Sequence, residues 1–380
     1  MEAEAVKTRD SNFELMRIIS MIFIILYHVL VHGEILEHAS GSMEILIIFL
    51  EALILVHVNS FVLITGYFQC KSKMRLGKVW ALNNMTWFYK ALIMILFIAF
   101  GVIAVPDIIT VIKTLSPIDF GIYWFISSYL ILYLISPILN KVINNSTKRD
   151  LQKIIIVLFV VVSLLSTLTR DVFFNTVTGR SLSTFILLYF IGSYIRLYPI
   201  NNSYFMKPFS LEAKRWVYII LFLFCALLSV FCWLAHNYLG QLGSVARELS
   251  TIFGYMNISF ASPIDILQSI FYFLIFSTFT FKSKKVNFIA KYVLGIYLIH
   301  ENIYVRIYLY DWLGFYNIEN VTIQTLLFVI VVTFAIFIIS LIIEIIRQKI
   351  FKLIYNSKPA RINRKWYQNY FEKLGLHIRW

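Results

Sequence analysis

SNFELMRIISMIFIILYHVLVH, residues Ser11–His32, decides how the whole chain is read. It is apolar over about the 20 residues that a membrane-crossing helix needs. Yet it carries Arg17 near its start and His28 deep inside. The two are eleven positions apart, roughly 1100° of helical rotation and so about 20° past three turns. Both side chains therefore leave the helix on one face, about 16 Å apart along the axis. A cation at the membrane edge and a titratable imidazole near the middle are costly there, and such residues mark function. The plainer alternatives are a positive anchor at a helix start for Arg17 and a packed, hydrogen-bonded side chain for His28.

Working outward, 60% of the 380 residues are hydrophobic and 14% are charged. A soluble domain cannot cover that much apolar surface, so the fold class is an all-α integral membrane protein. Ten apolar runs read as spans, at about 16–35, 45–67, 87–105, 121–139, 153–169, 183–198, 216–236, 264–281, 287–305 and 323–346. The sixth is short and the ninth is interrupted by polar residues. The first run is read as an uncleaved span, because it is long, carries two histidines and follows Glu14.

With the N-terminus in the cytoplasm, 29 of the 34 lysines and arginines fall on the inner side, Lys90 among them. Lys113, Arg170, Arg180, Arg247 and Arg306 fall outside. This asymmetry puts both termini in the cytoplasm. It also argues against nucleic acid as a partner for a chain of net charge +14, since the charge is spread over inner loops rather than gathered on one face.

Two regions follow: a membrane domain over 11–346 and a basic tail over 347–380. In the tail, Trp366, Tyr370 and Leu374 recur every four residues, which fits a helix lying on an anionic lipid surface. The longest outer segment, 236–263, reads equally as a cover over an outward-facing cavity or as an ordinary connector. Cys70, Cys225 and Cys232 have no metal spacing and read as packing residues.

The polar groups at membrane depth are the chemical candidates. They are His28 and His32 in the first span, His57 in the second, Tyr123 and Trp124 opening the fourth, and His300 with Glu301 in the ninth. A histidine pair at i and i+4 can bind zinc, but HVLVH contains neither a third ligand nor a glutamate, so no metal is expected. His57 reads most simply as a packed residue, and Trp124 as an interfacial aromatic. A neutral imidazole is a suitable general base for a hydroxyl, and its protonated form can protonate a leaving thiolate. A guanidinium at the inner mouth matches phosphate oxygens.

Arg17 and His28, in NFELMRIISMIFIILYH, stand in order with FVLITGYF (61–68), YWFISSYLILYLISPIL (123–139), SPIDILQSIFYFLIF (262–276) and LGIYLIHENIYVR (294–306). In this arrangement the chain resembles the acyltransferase-3 family of membrane acyltransferases, from about residue 11 to 345. Where the family often has serine before the glycine of the second-span motif, this chain has Thr65 before Gly66, which keeps the hydroxyl.

The resemblance implies transfer of an acyl group, commonly acetyl from acetyl-CoA, to hydroxyls of a cell-surface polysaccharide or lipid-linked saccharide. It implies a multi-pass protein of a bacterial cytoplasmic membrane with no permanently bound cofactor. His28 and Arg17 are the expected catalytic residues, with Arg17 also binding the donor. Tyr123, Trp124, His300, Glu301 and His57 are expected near the acceptor or behind the catalytic groups. The short tail implies that the chain acts alone or hands its acyl group to a separate extracytoplasmic transferase. A rival reading is a glycan or lipid transporter, which inverted repeats with broken helices would favour. Another is a longer acyl donor such as succinyl-CoA.

Overall fold

The computed structural model describes residues 10–116, 123–169 and 178–355. Among these the chain is all helix. Its principal elements are α1 (Ser11–His32), α2 (Gly41–Ile54), α3 (His57–Gln69), α4 (Leu76–Ala99), α5 (Ile108–Leu115), α6 (Trp124–Asn145) and α7 (Lys148–Leu168). They continue with α8 (Leu182–Leu197), α9 (Leu211–Gly240), α10 (Ser244–Ile258), α11 (Pro263–Ser277), α12 (Val293–His300), α13 (Ile303–Trp312) and α14 (Ile323–Tyr355).

Among the described residues, seven helices are long and apolar enough to cross a membrane: α1, α2 with α3, α4, α6, α7, α9 and α14. The chain is a multi-pass membrane protein. The sixth, eighth and ninth expected spans are not full-length helices. α8 and α11 have 16 and 15 residues, and the ninth is broken into α12 and α13. At about 1.5 Å per residue such helices are shorter than the ~30 Å hydrocarbon layer.

α1 is surrounded. It packs against α2, α3, α11, α12 and α14, and two hydrophobic clusters meet along it. This explains why its sequence is apolar on nearly every side, as a helix buried all round must be. The closest pairing in the bundle is α3 with α8. A Cβ built on Gly66 would lie 2.3 Å from the carbonyl oxygen of Tyr189, and one on Gly192 would lie 2.3 Å from that of Leu63. Two glycines facing opposite backbones let the helices approach closely, and Ser193 Oγ donates to the Gly66 carbonyl at 3.1 Å. The glycine of the second-span motif therefore serves packing, while Phe61, Thr65 and Phe68 line a cavity with Arg17. The hydroxyl of Thr65 donates to Phe61 O at 2.8 Å.

Three expected boundaries move. α4 begins at Leu76 rather than near residue 87, so Lys90 lies in mid-helix. It is buried there and donates to Ser116 O at 3.2 Å. Its ammonium is solvated by protein, so it does not belong to the inner rim. α10 occupies most of 236–263 as an amphipathic helix folded back on α9, with Ser250 bonded to His236. The last helix runs on to Tyr355, past the expected end of the tenth span at 346. Trp366, Tyr370, Leu374 and Arg170 lie outside the described residues.

Candidate active site

Two breaks in the helices build the site. After Ile54 the second span stops and restarts at His57. The freed carbonyls are answered by side chains: Gln268 Nε2 donates to Ala52 O at 3.0 Å, and His57 Nδ1 to Ile54 O at 2.7 Å. α12 ends at His300, Glu301 follows outside the helix, and Asn302 caps α13 by accepting from Tyr304 N at 3.1 Å. The Leu298 carbonyl, freed at that end, accepts from Tyr123 OH at 2.7 Å. Irregular backbone is tolerated at membrane depth only when its polar groups are satisfied in this way.

The second break aims His300 and Glu301 at α1. His28 Nδ1 lies 3.2 Å from His300 Nε2 in a hydrogen bond, although the residues are 272 positions apart. Glu301 Oε2 is 3.0 Å from the same nitrogen, off the hydrogen-bond direction. Its other oxygen, Oε1, accepts from Arg306 Nη1 at 3.0 Å. His32, one turn along α1 from His28, brings Nε2 to 3.8 Å from Glu301 Oε2. Both α1 histidines keep some access, with side chains 16% and 26% exposed, whereas Glu301 is 9% exposed.

The partners assign the tautomers. His300 Nδ1 lies 2.7 Å from the Ile296 carbonyl, which can only accept, so that nitrogen carries the proton. Neutral His300 therefore presents a bare Nε2. His28 must then donate from Nδ1, which leaves its own Nε2 unprotonated. A carboxylate beside the protonated nitrogen and a base at the other is the arrangement of an oriented general base. His300 and Glu301 thus face His28, and what they orient is the imidazole.

Arg17 lies at the other end of the same stripe. A cavity of about 560 Å³ is lined by Arg17, Met21 and Ile24 on α1, the face that His28 continues one turn later. Phe125 and Tyr297 also line it, and the Tyr297 ring lies 6.0 Å from that of His300. At the mouth Arg17 Nη1 pairs with Glu14 Oε1 at 2.6 Å, and Lys291 joins the rim. A smaller cavity of about 190 Å³ shares Arg17 and Thr65 and adds Lys78.

The remaining sequence candidates separate. Tyr123 is fully buried and holds the end of α12, a positioning role behind His300. Trp124 stacks on Phe260, whose ring also meets that of His57, with Arg180 over the indole. His57 caps the first break and touches Tyr27, with ring centroids 5.2 Å apart, outside the His28 cluster. Arg306 is the residue that sequence reasoning missed. Its signal was its place five residues after Glu301 within the 294–306 motif. The fold also supplies what HVLVH lacks: one donor atom each from His28, His32 and Glu301 lie within 4.8 Å of one another, a grouping that could hold a metal ion.

Neither a curated protein nor a solved structure matches the chain. A family model described as an acyltransferase domain matches residues 10–345, nearly the whole chain and every element of the site. The chain belongs to this acyltransferase-3 family and is a membrane acyltransferase.

Proposed function

We propose that the protein moves an acetyl group from cytoplasmic acetyl-CoA to a hydroxyl of a cell-surface polysaccharide or lipid-linked saccharide, in a bacterial cytoplasmic membrane. The observation that carries the reading is that Arg17, Met21 and Ile24 line one cavity along α1, and His28, bonded to His300, follows one turn later on the same face. Its size is that of a small-molecule site. Arg17 and Lys291, which line it beside Asp10 and Glu14, suit the phosphates of CoA, while its apolar interior suits the arm that bears the thioester. Arg17, with Glu14 bracing one side of its guanidinium, is the donor-binding residue.

In this mechanism the acceptor hydroxyl gives its proton to His28 Nε2 as its oxygen bonds to the thioester carbonyl carbon. Glu301 stabilises the imidazolium, and Arg306 holds Glu301 in place. Collapse of the adduct breaks the carbon–sulfur bond, and His28 returns the proton to the thiolate, releasing free CoA. Protons balance, and no cofactor is consumed. A separate extracytoplasmic transferase is not needed for these steps.

The broken helices are what a transporter would show. Here, however, the carbonyls of Ala52, Ile54 and Leu298 are taken by Gln268, His57 and Tyr123, so they are not free to hold a cargo. The test uses purified protein in nanodiscs with radiolabelled acetyl-CoA. Saturable binding weakened in Arg17→Ala, with CoA release lost in His28→Ala, is the expected result. No binding by well-folded wild type would overturn the donor assignment.

A further inference from the structure

His32 has no task in that mechanism, yet its position is specific. It sits one turn from His28 on the same face, with Nε2 buried and without a hydrogen-bond partner among the described residues. Glu301 Oε2 is likewise buried and lacks a hydrogen bond. These two atoms are 3.8 Å apart, Glu301 Oε2 is 3.0 Å from His28 Nδ1, and the three donor groups lie within 4.8 Å of one another. Ligands around a tetrahedral zinc, with bonds of about 2.0–2.1 Å, stand roughly 3.3 Å apart. The cluster therefore needs only side-chain adjustments of a few tenths of an ångström to about an ångström to close on one ion.

We infer that His28 Nδ1, His32 Nε2 and Glu301 Oε2 form a binding site for a borderline divalent cation of the zinc type, and that its occupation switches the base off. The donor set is two imidazoles and one carboxylate, which suits zinc and does not suit magnesium or calcium. Arg306 already neutralises half of Glu301, at 3.0 Å from Oε1. The imidazoles must supply most of the binding, which again selects against hard cations. In the metal-free site His28 Nδ1 holds a proton shared toward His300. An ion on Nδ1 displaces that hydrogen bond, and the imidazole proton then resides on Nε2. The nitrogen that should accept the hydroxyl proton becomes a donor, and transfer stops until the ion leaves. The ion is an inhibitor, with no part in the reaction. Binding stands on geometry alone, whereas the inhibitory half rests on the acyltransferase reading above.

The experiment uses untagged full-length protein in nanodiscs, dialysed against zinc chloride alone, with bound metal counted by mass spectrometry. Wild type should hold one zinc per chain, and magnesium should not bind. His32→Ala and the bulkier His32→Gln should each weaken zinc binding by ~10-fold or more, whichever of them folds better. Both should keep basal CoA release. Zinc should inhibit that release in wild type, reversibly on adding EDTA, and should spare the His32 variants. Equal zinc binding by wild type and the variants, or none by wild type, overturns the site. Binding without inhibition in an active enzyme overturns the switch. Should the protein release no CoA at all, the donor reading fails while the dialysis still decides the metal site.

Discussion

At the scale of residues, the site combines one relation that period alone reveals with others that only the fold supplies. Arg17 and His28 share a face because eleven residues come close to three whole turns, and the cavity lined by Arg17, Met21 and Ile24 follows that stripe. The partners of His28 were visible as candidates, but no local pattern ties His300 and Glu301 to a residue 272 positions earlier. Their roles follow from the break at Asn302, which sequence reading saw only as a polar interruption. Replacing His28 with Ala should lower turnover by about 10²–10⁴-fold, the range of general base catalysis, with donor affinity retained; a single-turnover assay measures both. Glu301→Gln keeps the shape and removes the charge that steadies the imidazolium. It should lower kcat while leaving the donor Kd unchanged, and a variant with wild-type kcat would remove Glu301 from the mechanism. Arg17→Lys should bind donor more weakly, because an ammonium cannot match the planar fork. Isothermal titration with CoA reads this directly.

At the scale of elements, the outcome depends on what each helix touches. Long spans facing lipid announce themselves by length, and seven of those expected have matching helices. α8 and α11 were harder to bound, since a helix enclosed by others is apolar throughout whether or not it spans. In α6 the helix survives Pro137, and Ser136 Oγ donates to the Tyr133 carbonyl at 2.7 Å. That carbonyl is the one deprived of its usual amide by the proline. The 61–68 motif enters the sequence reading only through the family resemblance, with Thr65 keeping a hydroxyl before Gly66. In the fold its glycine is required by the backbone of α8, 2.3 Å from where a Cβ would sit. Gly66→Ala must therefore push α3 and α8 apart. We expect a loss of about 1–3 kcal/mol or more, seen as a lower Tm and less monodisperse protein on size exclusion. Gly295→Ala meets the Glu344 carboxylate instead, its Cβ falling 2.3 Å from Glu344 Cδ. Glu344 is clamped by Arg347, Gln348 and Tyr89. It cannot yield without breaking those bonds, so this variant should be destabilised to a similar degree in the same assay.

At the scale of the whole molecule, the direction of the reaction depends on which end of the bundle faces the cytoplasm. The structure sets Arg17, Lys78 and Lys291 in the lining of two cavities that share Arg17, and His28 and His32 lie further along α1. Charge gives the proposed orientation: the count of 29 inner cations assumes ten crossings, and Lys90, set in mid-helix, drops out of it. On the positive-inside rule we propose that the Arg17 end is cytoplasmic, which is also where a membrane-impermeant, phosphate-bearing donor is made and kept. The His32 end would then meet the acceptor. This reading has a consequence for sealed vesicles that does not depend on identifying the saccharide. Inverted vesicles, which expose the cytoplasmic face, should bind acetyl-CoA and slowly release CoA at once. Right-side-out vesicles from the same cells should do neither until they are permeabilised. Zinc added outside should show the opposite sidedness, inhibiting donor-loaded right-side-out vesicles through the His32 end. Equal donor use by intact vesicles of both orientations would mean that the bundle is inverted or that the donor enters elsewhere, and the Arg17 cavity would lose its assignment. A donor signal confined to inverted vesicles, and weakened there by Arg17→Ala, would tie sidedness, cavity and charge to one residue.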